Sequence, residues 1–284
     1  MSSGPVKALP GPLCALLHPR GLRRWNVDDI ARLPARDRAD LLAEAPSRRG
    51  NMGPVLIEKD FWVCWTLRRI FRLEALPAGP IFKGGTSLSK VYRAIDRFSE
   101  DVDLSFDRVN LGFGGDDDPA RASSRKKAEK QIDKLRLACT EMIRNQFLPQ
   151  LRRSISESLG EEPGLGTWFI ELDPDDVEGQ TILFRYPSGH GSSGQMAQYV
   201  RPVVRLELGA RGEHWPAEDA SIQCYAAETL PEHFKNPDSR LKVLGAERTF
   251  WEKATILHAT HHQPLEKPLQ PRLSRHYYDT ITIW

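Results

Sequence analysis

The chain has 284 residues, 40% of them hydrophobic and 27% charged, with a formal net charge of +2. That length allows one large domain or two smaller ones around a sizeable core, and a charge so near neutrality means that any surface for nucleic acid must be local. The cysteines, Cys14, Cys64, Cys139 and Cys224, form no CxxC pair, which excludes a thiol metal knuckle and suits a reducing compartment.

In chain order, residues 1–40 read as a mobile arm rich in Pro, Gly and Arg, with a short helix at Val27–Leu33. Leu13–Leu17 is too short for a signal-peptide core and is followed by Pro19 and Arg20. The sequence contains no apolar run of membrane-spanning length. A cytoplasmic location without membrane contact is the expectation.

From Leu41 the chain turns helical. Ile57, Phe61, Cys64, Trp65, Leu67 and Ile70 fall mostly on one stripe, and Pro77, Gly79 and Pro80 stop the helix. Within it, Glu58-Lys59-Asp60 reads as a salt-bridge cluster on the helix face. A strand at Ile81–Lys83 leads through Gly84-Gly85 into a helix whose Leu88, Val91, Tyr92 and Ile95 recur at helical spacing. Val102–Phe106 is then a strand, with Asp101, Asp103 and Ser105 on the face opposite Val102, Leu104 and Phe106.

Residues 120–159 form a long charged helical stretch, with a break expected near Pro149. Between 121 and 153 it carries ten Lys or Arg against Glu129, Asp133 and Glu141, a local excess of seven positive charges. Such a helix either tracks a phosphate backbone or is a solvated face, and the sequence does not choose. Strands are expected at Thr167–Leu172, Thr181–Tyr186 and Tyr199–Gly209, with a Ser/Gly-rich hairpin loop between the last two. A further strand at Ile222–Ala226 precedes helices over Leu241–His258 and from Ser274 to Trp284. The last lacks a cap, so the chain is expected to stop before the natural end of its domain. The order of elements predicts an α+β fold, a mixed sheet flanked by helices. Its core spans 41–230, with 120–159 as a basic helical insertion and 231–284 as a helical C-terminal part.

Chemistry concentrates in Lys83-Gly84-Gly85-Thr86-Ser87 followed by Asp101-Val102-Asp103. Two glycines between strand and helix let the backbone approach a phosphate, and the helix start offers unpaired N–H groups and partial positive charge. Thr86 and Ser87 add hydroxyls. Asp101 and Asp103, two apart on a strand, point the same way with Cα atoms roughly 6–7 Å apart. Carboxylates that close repel unless a cation sits between them, and Mg²⁺ takes such oxygens together with substrate phosphates. Each element alone is usually a turn or a solvated edge; joined through one amphipathic helix they describe a nucleotide site.

These residues carry a resemblance. Phe82–Lys90 followed by Arg97–Leu104 resembles the first motif of the AbiEii/AbiGii-type nucleotidyltransferase toxins, within the DNA polymerase β-like superfamily. Ile57–Trp62 resembles the family's N-terminal helix, Glu247–Lys253 its lysine motif and Ser274–Asp279 its C-terminal aspartate motif. The resemblance implies a nucleotidyltransferase-type sheet joined to a helical part, with Mg²⁺ or Mn²⁺ and an NTP as substrate. It also implies a growth-blocking toxin of a toxin–antitoxin or phage-defence system, a cognate antitoxin, and in some members transfer to the 3′ end of tRNA. It supplies roles as well: Glu207, beside Arg205 on the face opposite Val204, Leu206 and Leu208, as third acid, metal ligand or base; Lys253 on the triphosphate; Asp279 as a catalytic or nucleotide-positioning acid. Tyr277 or Tyr278 either stacks on a base or packs in the core. His258 and His262 have metal-ligand spacing, but the end of a helix favours a solvated terminus. The same chemistry would serve a small-molecule nucleotidyltransferase, and a dead site would leave a nucleotide-binding module.

Overall fold

A computed structural model describes residues 24–45, 52–74, 76, 79–161, 168–190, 200–212, 214–264, 266–269 and 272–284. Residues 1–23 of the expected arm lie outside these, as do Pro77, Thr167, Tyr199 and most of the Ser/Gly-rich loop. From Trp25 onward the arm is part of the fold. Strand β1 (Trp25–Asn26) leads into helices α1 (Val27–Ala31) and α2 (Ala35–Ala43), which bury Val27, Ile30, Leu41 and Leu42. The apolar spacing of these residues gives them a surface to bury, which an arm of Pro and Gly lacks.

Helix α3 (Pro54–Ile70) is the central pillar. It begins with Pro54 in its first turn, where a missing N–H costs nothing. It is buried nearly all round, and Trp62 and Trp65 pack on Phe184 at ring separations of 6.0 and 5.9 Å. Glu58, Lys59 and Asp60 are buried with it, which corrects the expected helix-face cluster: each bonds to a different part of the chain. Glu58 accepts from Ser188 Oγ and the Gly189 N–H at 2.8 and 2.9 Å. Lys59 pairs with Glu100 at 2.5 Å, and Asp60 with Lys90 at 2.6 Å. Buried charge must be paired in this way.

Strand β2 (Pro80–Lys83), helix α4 (Gly84–Lys90) and strand β3 (Val102–Phe106) follow. Helix α4 ends at Lys90, short of the Ile95 that its periodicity predicted, because the chain leaves the helix at Val91 and Arg93 takes a left-handed φ of 51°. Helices α5 (Arg125–Met142) and α6 (Leu148–Leu159) are joined by a π-helical turn at Ile143–Phe147. The break expected at Pro149 is therefore a change of pitch, with Pro149 tolerated in the first turn of α6.

The remaining elements are strands β4 (Phe169–Leu172), β5 (Thr181–Arg185), β6 (Val203–Gly209) and β7 (Ala217–Ile222), short helix α7 (Tyr225–Thr229), strands β8 (Phe234–Lys235) and β9 (Ser239–Leu244), and helices α8 (Ala246–His261) and α9 (Ser274–Ile283). The expected strand at Ile222–Ala226 is the end of β7 running into α7. The expected helix from Leu241 begins with a strand instead: Leu241 and Val243 are buried while Arg240 and Lys242 are exposed, a period of two. Because β9 lies inside the sheet, the C-terminal part beginning at 231 is not purely helical.

The mixed seven-stranded sheet runs β4-β5-β6-β3-β2-β9-β7. Its inner face, Phe82, Val102, Leu104, Leu206 and Leu208, belongs to the core shared with α3. The opposite face carries Lys83, Asp103 and Glu207, which the strand register sets side by side.

Candidate active site

Asp103 is the centre of the site. It is paired in register with Lys83 on antiparallel β2 and with Glu207 on parallel β6. All three line a cleft of about 210 Å³ together with Ser105, Gln180 and Arg211. Gly84 turns directly over Asp103: its φ is +81°, and a Cβ there would land on the Asp103 carboxylate. Both facts demand glycine, one for the backbone and one for the space. The glycine turn therefore lies directly against the acid that lines the cleft.

Burial raises the Asp103 carboxyl, and so does the neighbouring Glu207; Lys83 only partly offsets them, and the group is pushed up to about 7. Asp101 adds to the same repulsion. A hard divalent cation suits this seat, because Asp103 and Glu207 present adjacent carboxylate oxygens whose mutual repulsion such an ion would relieve. Asp101, near enough to act on Asp103, has partners of its own. It lies just outside β3 and faces Arg275 at 3.4 Å and Arg272 at 4.0 Å. Among the described residues no group of three or more His, Cys, Asp or Glu side chains is gathered as a metal site.

The other expected residues sort by what they touch. Thr86 and Ser87 are buried, and their hydroxyls serve the protein: Thr86 donates to the Asp101 carbonyl at 2.5 Å, and Ser87 to the Gly84 carbonyl at 2.9 Å. They shape the turn. Gly85 leaves room for Arg97, whose Nη2 would stand 2.7 Å from a Cβ at that position. Lys83 pairs with Glu252 of α8 at 2.9 Å. Glu207 is about half exposed and pairs with Arg205 at 3.0 Å.

Asp279 is fully buried and acts as a clamp. Arg97 donates to it through Nε at 2.7 Å and Nη2 at 2.6 Å, and Lys253 Nζ lies 2.9 Å away. Burial raises its carboxyl, but the bonds from Arg97 and Lys253 outweigh that and hold it below the usual carboxylate range. Asp279 thus fixes Lys253 and Arg97 beside the glycine turn. Sequence reasoning passed over Arg97, although it stands inside the first motif, four residues before Asp101. A guanidinium needs a forked acceptor, and the only hint of one was the acid in the last helix.

Tyr277 and Tyr278 are exposed rather than packed in the core. His258 and His262 stack edge to face at 4.4 Å on the exposed end of α8, with no third ligand beside them among the described residues.

The sequence matches the family described as "Nucleotidyl transferase AbiEii toxin, Type IV TA system" over residues 65–283. This chain belongs to the AbiEii nucleotidyl transferase toxin family. The matched span contains the stretch from Lys83 to Asp279 and leaves Ile57–Trp62 outside it. No curated protein matches the sequence. Among solved structures it is similar to MenT4, a nucleotidyltransferase toxin from Mycobacterium tuberculosis H37Rv, at 16% identity and a TM-score of 0.35. The match covers 80% of this chain and 66% of that one. No helix among the described residues is long and apolar enough to cross a membrane.

Proposed function

We propose that this protein transfers a nucleoside monophosphate from an NTP to a hydroxyl at the 3′ end of a tRNA, releasing pyrophosphate, as the toxin of a toxin–antitoxin pair with a role in phage defence. The observation that carries the reading is the close approach of Gly84 to Asp103, which lines one cleft with Lys83 and Glu207. Asp103 and Glu207 would hold Mg²⁺ or Mn²⁺, with Asp101 joining them when Arg275 gives way to the cation. A divalent ion there supplies charge neutralisation of the transferring phosphoryl group.

The chain's own groups do the rest. The Gly84–Gly85 turn admits phosphate oxygens close to the backbone. Lys253, steadied by Asp279, places a compact positive charge beside them, and Lys83 adds a second when it leaves Glu252. Glu207, the more exposed acid, would take the proton of the attacking hydroxyl. Positioning and charge account for most of such catalysis.

The RNA acceptor rests on charge placement. Lys126, Lys127, Lys130 and Lys134 on α5 are exposed. The far end of that helix abuts the wall of the cleft, where Thr140 donates to the Glu178 carbonyl at 3.0 Å and Gln180 to the Arg136 carbonyl at 3.3 Å. A polynucleotide lying along α5 would reach the acids. A cytoplasmic location and a cognate antitoxin complete the proposal.

The test is transfer of labelled NMP from each of the four NTPs to total tRNA or to small alcohols, with Mg²⁺. Wild type should label tRNA, and Asp103→Asn should lose the activity while still unfolding in a single cooperative transition. Full activity in Asp103→Asn would end the reading; labelling of the alcohols alone would replace tRNA with a small-molecule acceptor.

A further inference from the structure

Trp215 is 81% exposed and so offers an aromatic face to solvent. It borders a pocket of about 320 Å³ with Pro80, Ile81, Asp107, Asn110 and Lys242. That volume falls in the ordinary range of ligand sites, about 300–1,000 Å³.

The position of the pocket gives it meaning. Ile81 and Lys83 alternate along β2, and Ser105 and Asp103 along β3, with Ile81 opposite Ser105 and Lys83 opposite Asp103. All four therefore share the face that bears the acids. The pocket beside Trp215 lies along that face from the catalytic cleft, one strand repeat on, a step of roughly 7 Å. Residues 211–212 and 214–215 border the two. Arg211 and Gly212 line the cleft, His214 and Trp215 line the pocket, and the His214 ring nitrogen Nε2 meets Ser105 Oγ at 2.7 Å between them. Gly212 passes so close to the Lys83–Glu252 pair that a Cβ would stand 3.2 Å from each.

We propose that this pocket binds a nucleobase stacked on Trp215, a claim that rests on the nucleotidyl transfer proposed above. The chemistry fits. An exposed aromatic face accepts any base by stacking. The floor of Pro80 and Ile81 is apolar, and Asn110, Asp107 and Lys242 offer donors and acceptors to a base edge. A nucleotide whose phosphate stands near Asp103 reaches this pocket along the sheet face. The base comes either from the NTP or from the terminal nucleotide of the acceptor.

The binding experiment uses the full chain and titrates AMP, CMP, GMP, UMP and ribose 5-phosphate by calorimetry into wild type, Trp215→Ala and Trp215→Phe. At least one nucleoside monophosphate should bind Trp215→Ala about tenfold more weakly, as loss of one stacking face predicts. Trp215→Phe should recover most of that affinity, and ribose 5-phosphate should bind all three proteins equally. Transfer kinetics then identify the source: a raised KM for NTP assigns the NTP base, and a raised KM for tRNA assigns the acceptor base. Equal affinities across all three proteins overturn the proposal, as does an equal loss for ribose 5-phosphate. A change in oligomeric state with unchanged nucleotide binding also overturns it, and makes Trp215 a protein contact. Because calorimetry needs no turnover, a failure of the transfer reading at Asp103→Asn leaves this result to be judged separately.

Discussion

The strand–helix–strand unit that carries Asp103 and the pair of C-terminal helices that carries Lys253 and Asp279 are held in opposite ways. In the first, β2 and β3 sit in the middle of the sheet, with Phe82, Val102, Leu104 and Phe106 buried beneath them. Packing alone fixes where Asp103 points. In the second, α8 buries only Thr249 and Lys253, and α9 only Asp279. Trp251, Tyr277, Tyr278, Ile281 and Trp284 stand in solvent. What ties these helices to the sheet is charge: Glu252 on Lys83, Asp279 on Arg97, Arg275 on Asp101. One half of the site is therefore rigid by hydrophobic burial. The other is held by ion pairs that nucleotide or cation can exchange.

The largest test of this contrast is Asp279→Asn. It leaves Arg97 and buried Lys253 without their shared anion, and breaking a buried pair from one side costs about 3 kcal/mol. Urea unfolding should show that loss, and transfer should fall with it, because Lys253 is no longer steadied. A stability within experimental error of wild type would mean that packing, and not this clamp, seats α9.

The rigid half has a pH signature. Asp103 is raised to about 7 in the folded protein from an ordinary carboxylate value near 3.8. Between those two values the native state binds the extra proton, so stability is fullest below about pH 4 and declines as pH rises through 7. After discounting for solvent reaching the cleft, the swing is about 2 kcal/mol. Thermal melts without divalent ion should therefore fall from pH 5 to pH 8 more steeply in wild type than in Asp103→Asn, and Mg²⁺ should flatten the wild-type curve. Parallel curves for the two proteins would show that Asp103 titrates normally.

This division also explains what the sequence disclosed. The Gly84–Asp103 unit follows local rules, a glycine where φ must be positive and alternation along a strand, so its position was readable in advance. The face on which Glu207 lies was legible for the same reason, by alternation along β6, while its role came from the resemblance. The role of Arg97 was not, because its partner lies 182 residues away on α9. The pairing of Asp101 with Arg275 was not legible either, because it is a tertiary contact that no local pattern encodes. Strand β9 was readable from Leu241 and Val243, but the helical signal that follows masked it. The buried Glu58, Lys59 and Asp60 misled because helix-face spacing says nothing about three separate distant partners.

The smallest effect bears on the exposed side of α9. Ile281 is 75% exposed and no buried cluster includes it. Ile281→Ser should therefore change unfolding stability by no more than about 0.5 kcal/mol, the usual range for a surface position. The substitution separates the two halves cleanly, since the same change at buried Leu104 would open a cavity costing several times as much. A loss at Ile281 of that larger size, seen in urea titrations of the full chain, would show that its apolar face is covered in solution. The C-terminal helices would then be held by burial after all, and the contrast between a packed half and an ion-paired half would not stand.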